Sequence, residues 1–189
     1  MRKIVVPMSV SLDGFFEGPD HDIGWHLVDD ELHTYVNEHL APMSAFLEGR
    51  VSYELMEGFW PTADQDPGIS PPMREFAGIW RDMPKIVFSR TLERADWNAT
   101  IRRKVDPDEI RALKQQAGGD MALGGADLAE TFRRHDLIDE YRLYVHPILL
   151  GRGRQLFGPA DAPSDLRLVE TRAFGNGVVM LRHERLRGG

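Results

Sequence analysis

The chain contains no cysteine. That excludes disulfides, thiolate-held metals and a cysteine nucleophile, and makes a reducing compartment, the cytoplasm, the expected setting. No apolar run approaches the roughly 20 residues that a membrane-spanning helix needs. Strand-like residues begin almost at Met1, so no secretory leader is expected. Positive charge is not in excess: the formal net charge is −7, which gives no field to gather nucleic acid. Two common phosphate-binding signatures are missing as well. No Gly-x-Gly-x-x-Gly follows the first strand-like segment, and no Gly-Lys-Ser/Thr occurs. The histidines are scattered; His33 and His39, six residues apart, point to different helix faces, so no metal site is expected. Internal repeats and low-complexity segments are absent.

What is present is ordinary globular material. With 189 residues, 42% hydrophobic and 28% charged, the chain suits one well-buried domain over residues 1–189. Residues 3–11 are apolar and β-branched and read as a buried strand; Asp13-Gly14 and Gly18-Pro19 mark a loop. Residues 29–40 read as a helix, with Leu32, Tyr35, Val36 and Leu40 on one face. Ala45-Phe46-Leu47 is a short strand that ends at Gly49, and the helix after it places Val51, Leu55 and Met56 inward. Residues 58–72, rich in proline and glycine, read as a surface flap. A helix over 72–81 and a strand at Lys85-Ile86-Val87-Phe88 follow. Asp106-Pro107-Asp108-Glu109 is a strong helix start, with a capping aspartate, proline at the first position and acid in the first turn. Residues 141–150 form a long strand-like run, and 166–174 and 178–186 flank the hairpin signal Gly175-Asn176-Gly177. Strand and helix alternate through the first two-thirds, and strand dominates the last third. The expectation is an α/β fold: a mixed, mostly parallel sheet flanked by helices, with a C-terminal antiparallel hairpin.

Four strand-to-turn junctions could carry chemistry: Gly49-Arg50-Val51-Ser52, Ser89-Arg90-Thr91-Leu92, Gly124-Gly125 and Gly151-Arg152-Gly153-Arg154. Ligands of open α/β sheets sit beyond the carboxyl ends of strands. The first three junctions lie at such ends and supply bare backbone, hydroxyls and guanidinium groups, which a dinucleotide's phosphates require. Singly, each has another explanation. Gly49 suits a tight turn, Arg50 and Arg90 suit ordinary surface charges, and Gly124-Gly125 suits close helix–sheet packing.

Together these segments resemble the dihydrofolate-reductase-like superfamily. Ser11-Leu12-Asp13-Gly14, Gly49-Arg50-Val51-Ser52-Tyr53-Glu54 and residues 85–92 match it in order. Leu123-Gly124-Gly125, Leu137-Ile138-Asp139-Glu140 and residues 147–153 are most similar to the reductase domain of the bifunctional deaminase–reductase of riboflavin synthesis and its stand-alone relatives. The deaminase half has no counterpart here, because its zinc site needs cysteine. The resemblance implies a reductase that takes NADPH and a small pterin- or pyrimidine-like substrate, and a homodimer. By motif position, Arg50 and Ser52 meet the cofactor phosphates, and Ser89 and Arg90 the adenosine ribose and its 2′-phosphate. Gly124 and Gly125 lie along the pyrophosphate and nicotinamide, joined by a cis peptide, with Met8 and Ser9 near the ring.

On the substrate side the resemblance selects Asp30, five residues after Trp25, as the catalytic carboxylate, with Asp29 and His33 as neighbours. Asp29 and Asp30 also suit a plain helix start, where acid is favoured. Met83 stands where folate reductases carry an arginine for the glutamate tail, which argues against folate. Arg152 and Arg154 are candidate anchors for a phosphate tail or else solvent charges. Trp60, Trp80 and Trp97 read as packing or flap residues, Trp60 bordering the proline-rich segment.

Overall fold

A computed structural model describes residues 1–158 and 163–187. In chain order its elements are β1 (Ile4–Ser11), β2 (Phe15–Glu17), α1 (Asp30–Leu40), β3 (Ala45–Gly49), α2 (Arg50–Glu57), α3 (Trp60–Ala63), α4 (Pro71–Asp82), β4 (Lys85–Phe88) and β5 (Ala99–Arg102). There follow α5 (Pro107–Gln115), β6 (Met121–Gly124), α6 (Ala126–Arg134), β7 (Glu140–His146), β8 (Arg154–Gln155), β9 (Leu166–Ala173) and β10 (Val179–Arg185). Eight strands form one sheet in the order β5-β4-β3-β6-β1-β7-β10-β9. The six from β5 to β7 run parallel, and β10 is antiparallel to both β7 and β9. The mixed sheet with its C-terminal hairpin is the architecture that the segment pattern implies. No helix among the described residues is long and apolar enough to cross a membrane.

Local chemistry explains the element starts. The Asp29 carboxylate accepts from the Leu32 N–H at 2.9 Å and caps α1. Asp106 accepts from the Asp108 and Glu109 N–H groups, with Pro107 opening α5. In the central strand β1, Ile4, Val5 and Val6 are all buried, because helices cover both faces of the sheet. The β9–β10 turn closes where Asn176 Oδ1 accepts from the Val178 N–H at 3.0 Å.

Several expectations need correction. On α2 the inward residue is Tyr53, with no exposure, while Val51 and Leu55 are each 63% exposed. These two lie about 200° around the helix from Tyr53. The larger aromatic takes the core, and its hydroxyl bonds Glu57 at 2.8 Å. The segment 58–72 is more than a flap. It contains α3, where Pro61 and Ala63 are buried, and Arg81 ties it down through the Pro61 carbonyl at 3.0 Å and Asp64 at 2.8 Å. The run 141–150 is a strand only to His146, where Pro147, which has no N–H, follows. Strand β5 and the small β2–β8 ladder carry too few apolar positions to stand out in the sequence.

Candidate functional site

Helices α1, α2 and α4 pack on one face of the sheet, through Leu40, Tyr53, Phe76 and Trp80 against Val5, Phe46, Val87 and Ala122. Helices α5 and α6 cover the other, through Ile110, Leu128 and Phe132 against Ile4, Leu47, Met121 and Leu123. Strand β6 therefore sends its helix over one face while its neighbours β3 and β1 send theirs over the other. Such a reversal opens a crevice beyond the strands' carboxyl ends. Gly124 ends β6 and Gly49 ends β3.

The two ends meet closely. Gly124 stands opposite Glu48 in the β3–β6 register. Gly125 precedes α6 with φ of 95°, a conformation that side chains rarely adopt. A Cβ added there would lie 2.6 Å from Ser52 Oγ and 3.9 Å from the Gly49 nitrogen. Gly49, Ser52 and Gly125 thus form one bare-walled cradle at the start of two helices, where N–H groups face outward. The cis peptide expected between Gly124 and Gly125 is absent, as is any other among the described residues. The positive φ of Gly125 makes the turn instead.

One strand further along, Gly49 pairs with Phe88, which sets Ser89 and Arg90 beside Arg50. Ser89 is buried, and its Oγ accepts from the Thr91 and Leu92 N–H groups at 3.2 and 2.8 Å, closing a tight turn. Arg90 stands exposed at the corner of that turn, and among the described residues its guanidinium has no hydrogen bond or ion pair. Arg50 is held by Glu54 at 2.7 Å, an exposed pair that a stronger anion can displace. Gly49, Arg50, Ser52, Ser89, Arg90, Gly124 and Gly125 therefore share one edge of the sheet.

The substrate-side candidates lie further along that edge. Asp30 is exposed in the first turn of α1, which starts beside the β9–β10 turn, where the Gly175 N–H donates to Glu31 at 3.0 Å. Capping belongs to Asp29. His33, a turn after Asp30, sits 5.9 Å from the Trp60 ring and 5.8 Å from Phe76. Burial holds its pKa below the usual histidine value, against the pull of Asp30 and Glu75. Trp80 is fully buried, and Trp97 is partly exposed. Arg154 is committed to Glu17 and Asp127 and is no free anchor. The Asp13 carboxylate accepts from Ser11 Oγ at 2.6 Å and from the Leu150 and Gly151 N–H groups, pinning the loop after β1 to the loop after β7. The Ser11 bond, more than the two backbone bonds, holds its pKa below the ordinary carboxylate value. No group of three or more histidine, aspartate or glutamate side chains among the described residues could hold a metal ion.

Two of the buried titratable groups that escaped the sequence reading lie at strand ends, and each depends on a partner far away in the chain. The first is His146 at the end of β7, whose Nδ1 accepts from the Leu27 N–H at 3.1 Å and so fastens the segment before α1. Its ring stacks on His26 at 5.2 Å, with Trp25 edge-on. Burial, and then the His26 charge, push its pKa down to about 4. A depressed histidine pKa adds stability that is full above the unfolded value of 6.5 and is lost as pH falls through 4. Urea melts at pH 7 and pH 5 should show the wild type losing about 2 kcal/mol of stability through this group. His146→Asn, which can still accept from Leu27, should lose that much less; equal losses would remove the assignment.

The second is Glu48, buried directly below the cradle with Oε2 unpartnered among the described residues. Burial raises its pKa to about 7, against the pull of Lys85 and the Trp80 indole N–H. Lys85 is buried too. Its ammonium bonds the Trp80, Met83 and Trp97 carbonyls, and burial lowers its pKa to about 8.

Comparison with known proteins agrees with this fold. The family model of the RibD C-terminal domain matches residues 2–180. The uncharacterized protein YyaP of Bacillus subtilis (strain 168) is 34% identical over 181 residues, covering 95% of this chain and 93% of that protein. A candidate riboflavin biosynthesis protein from Shewanella sp. PV-4 superposes with a TM-score of 0.73 at 20% identity, over 99% of this chain and 100% of that one. A Thermotoga maritima diaminohydroxyphosphoribosylaminopyrimidine deaminase/5-amino-6-(5-phosphoribosylamino)uracil reductase gives 0.67 at 17% identity, over 98% of this chain and 57% of that one.

Proposed function

The chain belongs to the RibD C-terminal domain family, and on that premise we propose that it is an NADPH-dependent reductase of a small pyrimidine-like heterocycle. The observation that carries the reading is the convergence of Gly49, Ser52 and Gly125 at the switch point, where a Cβ on Gly125 would fill the cradle. That bare wall fits a pyrophosphate, with Ser52 and the N–H groups at the starts of α2 and α6 as donors. Arg90, without a partner among the described residues, suits the 2′-phosphate. The bound dinucleotide supplies a hydride to the electron-poor carbon of a C=N or C=O group. The chain's own task is to hold that acceptor flat beside the later half of β1, near Met8 and Ser9, and to deliver a proton to its nitrogen or oxygen. Asp30, exposed at the first turn of α1, is the proposed group for that proton, passed directly or through water.

The test is loss of NADPH absorbance with a ribosylated aminopyrimidine as acceptor. Turnover with NADPH is the expected result. Asp30→Asn should lower kcat by about 100-fold and leave NADPH affinity unchanged. Tight NADPH binding without turnover on any pyrimidine or pteridine would make the chain a nucleotide-binding module instead.

A further inference from the structure

We propose that the collar formed by residues 58–73 is the subsite for the tail of the substrate, and that it takes an uncharged aromatic or apolar tail and turns away a phosphate. The proposal deepens the pyrimidine-reductase reading above and rests on it. Gly58, Phe59, Thr62, Ile69, Ser70 and Met73 line a cavity of about 500 Å³, within the range of small-molecule sites. The cavity stands beside the substrate edge. His33 lies one turn after Asp30, on the same face of α1. Its ring is 5.9 Å from Trp60, and Trp60 is 4.9 Å from Phe59 in the cavity wall. From Asp30 to Phe59 is therefore about 15 Å. A heterocycle joined to a second ring can span that distance.

Hydrogen bonds fix the collar in place. Arg74 Nη1 donates to the Asp64 carbonyl at 2.7 Å, and Arg81 to the Pro61 carbonyl at 3.0 Å. From α1, the Asn37 amide donates to the Pro72 carbonyl at 2.8 Å. A frame fixed in advance loses little freedom when a ligand enters. Phe59 is left 48% exposed on the wall, an apolar face that a ligand ring would cover. Charge decides the class of tail. No lysine, arginine or histidine among the described residues lines the cavity. The frame's two guanidinium groups are spent, Arg74 on the Asp64 and Asp66 carbonyls and Arg81 on the Asp64 carboxylate. Asp66 adds a carboxylate to the lining, where it accepts from the Gly68 N–H at 2.8 Å. A helix start ordinarily draws anions through its free N–H groups. Helix α4 starts at this wall with Pro71 and Pro72, which have none. An uncharged ring instead meets Phe59, Ile69 and Met73. The Ser70 hydroxyl, which makes no capping bond to α4, remains for a polar substituent. A phosphate tail would have to find its cation elsewhere, at Arg152 on the loop after β7, which is exposed and has no bond among the described residues.

The experiment titrates the full chain with 6-aminouracil, 6-benzylaminouracil and 6-ribitylaminouracil 5′-phosphate, in the presence of NADP⁺, which cannot donate a hydride. It compares the wild type with Phe59→Ala, Thr62→Lys and Arg152→Ala. The wild type should bind the benzyl compound at least about tenfold tighter than 6-aminouracil, and the phosphate-tailed compound no tighter than 6-aminouracil. Phe59→Ala should remove most of the benzyl advantage and leave 6-aminouracil within about twofold, which also shows that the variant is folded. Thr62→Lys, at an exposed position of α3, should strengthen the phosphate-tailed compound by about tenfold, because it supplies the missing cation. Arg152→Ala should leave all three affinities unchanged. Tighter wild-type binding of the phosphate-tailed compound than of the benzyl compound, lost in Arg152→Ala, would overturn the proposal, as would equal affinity for all three. So would a Phe59→Ala protein that changes its sedimentation and none of its affinities, since the cavity would then serve contact between copies. Wild-type protein that binds none of the three would refute the pyrimidine reading itself, and the proposal with it.

Discussion

Gly125→Ala is expected to weaken NADPH binding by at least about 100-fold, nearly 3 kcal/mol. Two effects add. The residue holds φ at 95°, so any side chain there strains the backbone, at a cost of about 1–3 kcal/mol. The new methyl would stand 2.6 Å from Ser52 Oγ. Ser52 can turn away, but doing so removes its hydroxyl from the cradle and leaves a methyl where phosphate must approach. Gly124→Ala separates the causes. Its Cβ would meet only Glu48 Cγ at 3.8 Å and the Leu47 carbonyl at 3.9 Å, ordinary contacts without a positive φ. Its stability should stay within about 1 kcal/mol of wild type. Thermal melts with and without NADPH read both quantities. A Gly125→Ala protein that binds NADPH at wild-type strength would mean the ligand does not use this wall.

Glu48→Gln is expected to stabilise the protein by about 3 kcal/mol at pH 8. A carboxylate whose folded pKa rises from 4.5 to about 7 favours the fold in its protonated form. That contribution is complete below pH 4.5 and is lost as pH climbs through 7. Glutamine mimics the protonated form at every pH. Wild type and variant should therefore match near pH 4 and diverge through pH 5–7. Lys85 offsets part of the gain, since the Glu48 charge helps to hold its pKa up to about 8 and glutamine removes that help, while its carbonyl partners remain. Urea denaturation across that pH range is the measurement. Parallel curves would show that Glu48 is solvated or paired in a way the geometry does not contain.

The parts of the site made of backbone were legible in the sequence. Glycine at 49, 124 and 125 and serine at 89 stand at strand ends, and strand ends follow from short apolar runs. The parts that depend on neighbours across the sheet were not. Arg103 braces the turn after β4 only because β5 pairs with β4, and β5 is a four-residue edge strand with two exposed positions. His26 and His146 are brought together by a fold that joins the loop before α1 to the end of β7. The face of α2 was misread because helical spacing alone allows either face inward, Val51 with Leu55 or the opposite one with Tyr53, and packing admits the tyrosine. The peptide between the two glycines followed the family's pattern in the resemblance and took another course here.

The central claim is that this crevice holds NADPH. Isothermal titration of the full chain with NADPH, and in parallel with NADH, tests it most directly. The account predicts saturable one-to-one binding of NADPH, with NADH weaker by about tenfold or more for want of the phosphate that Arg90 receives. Equal affinities, or no heat of binding with either, would contradict it.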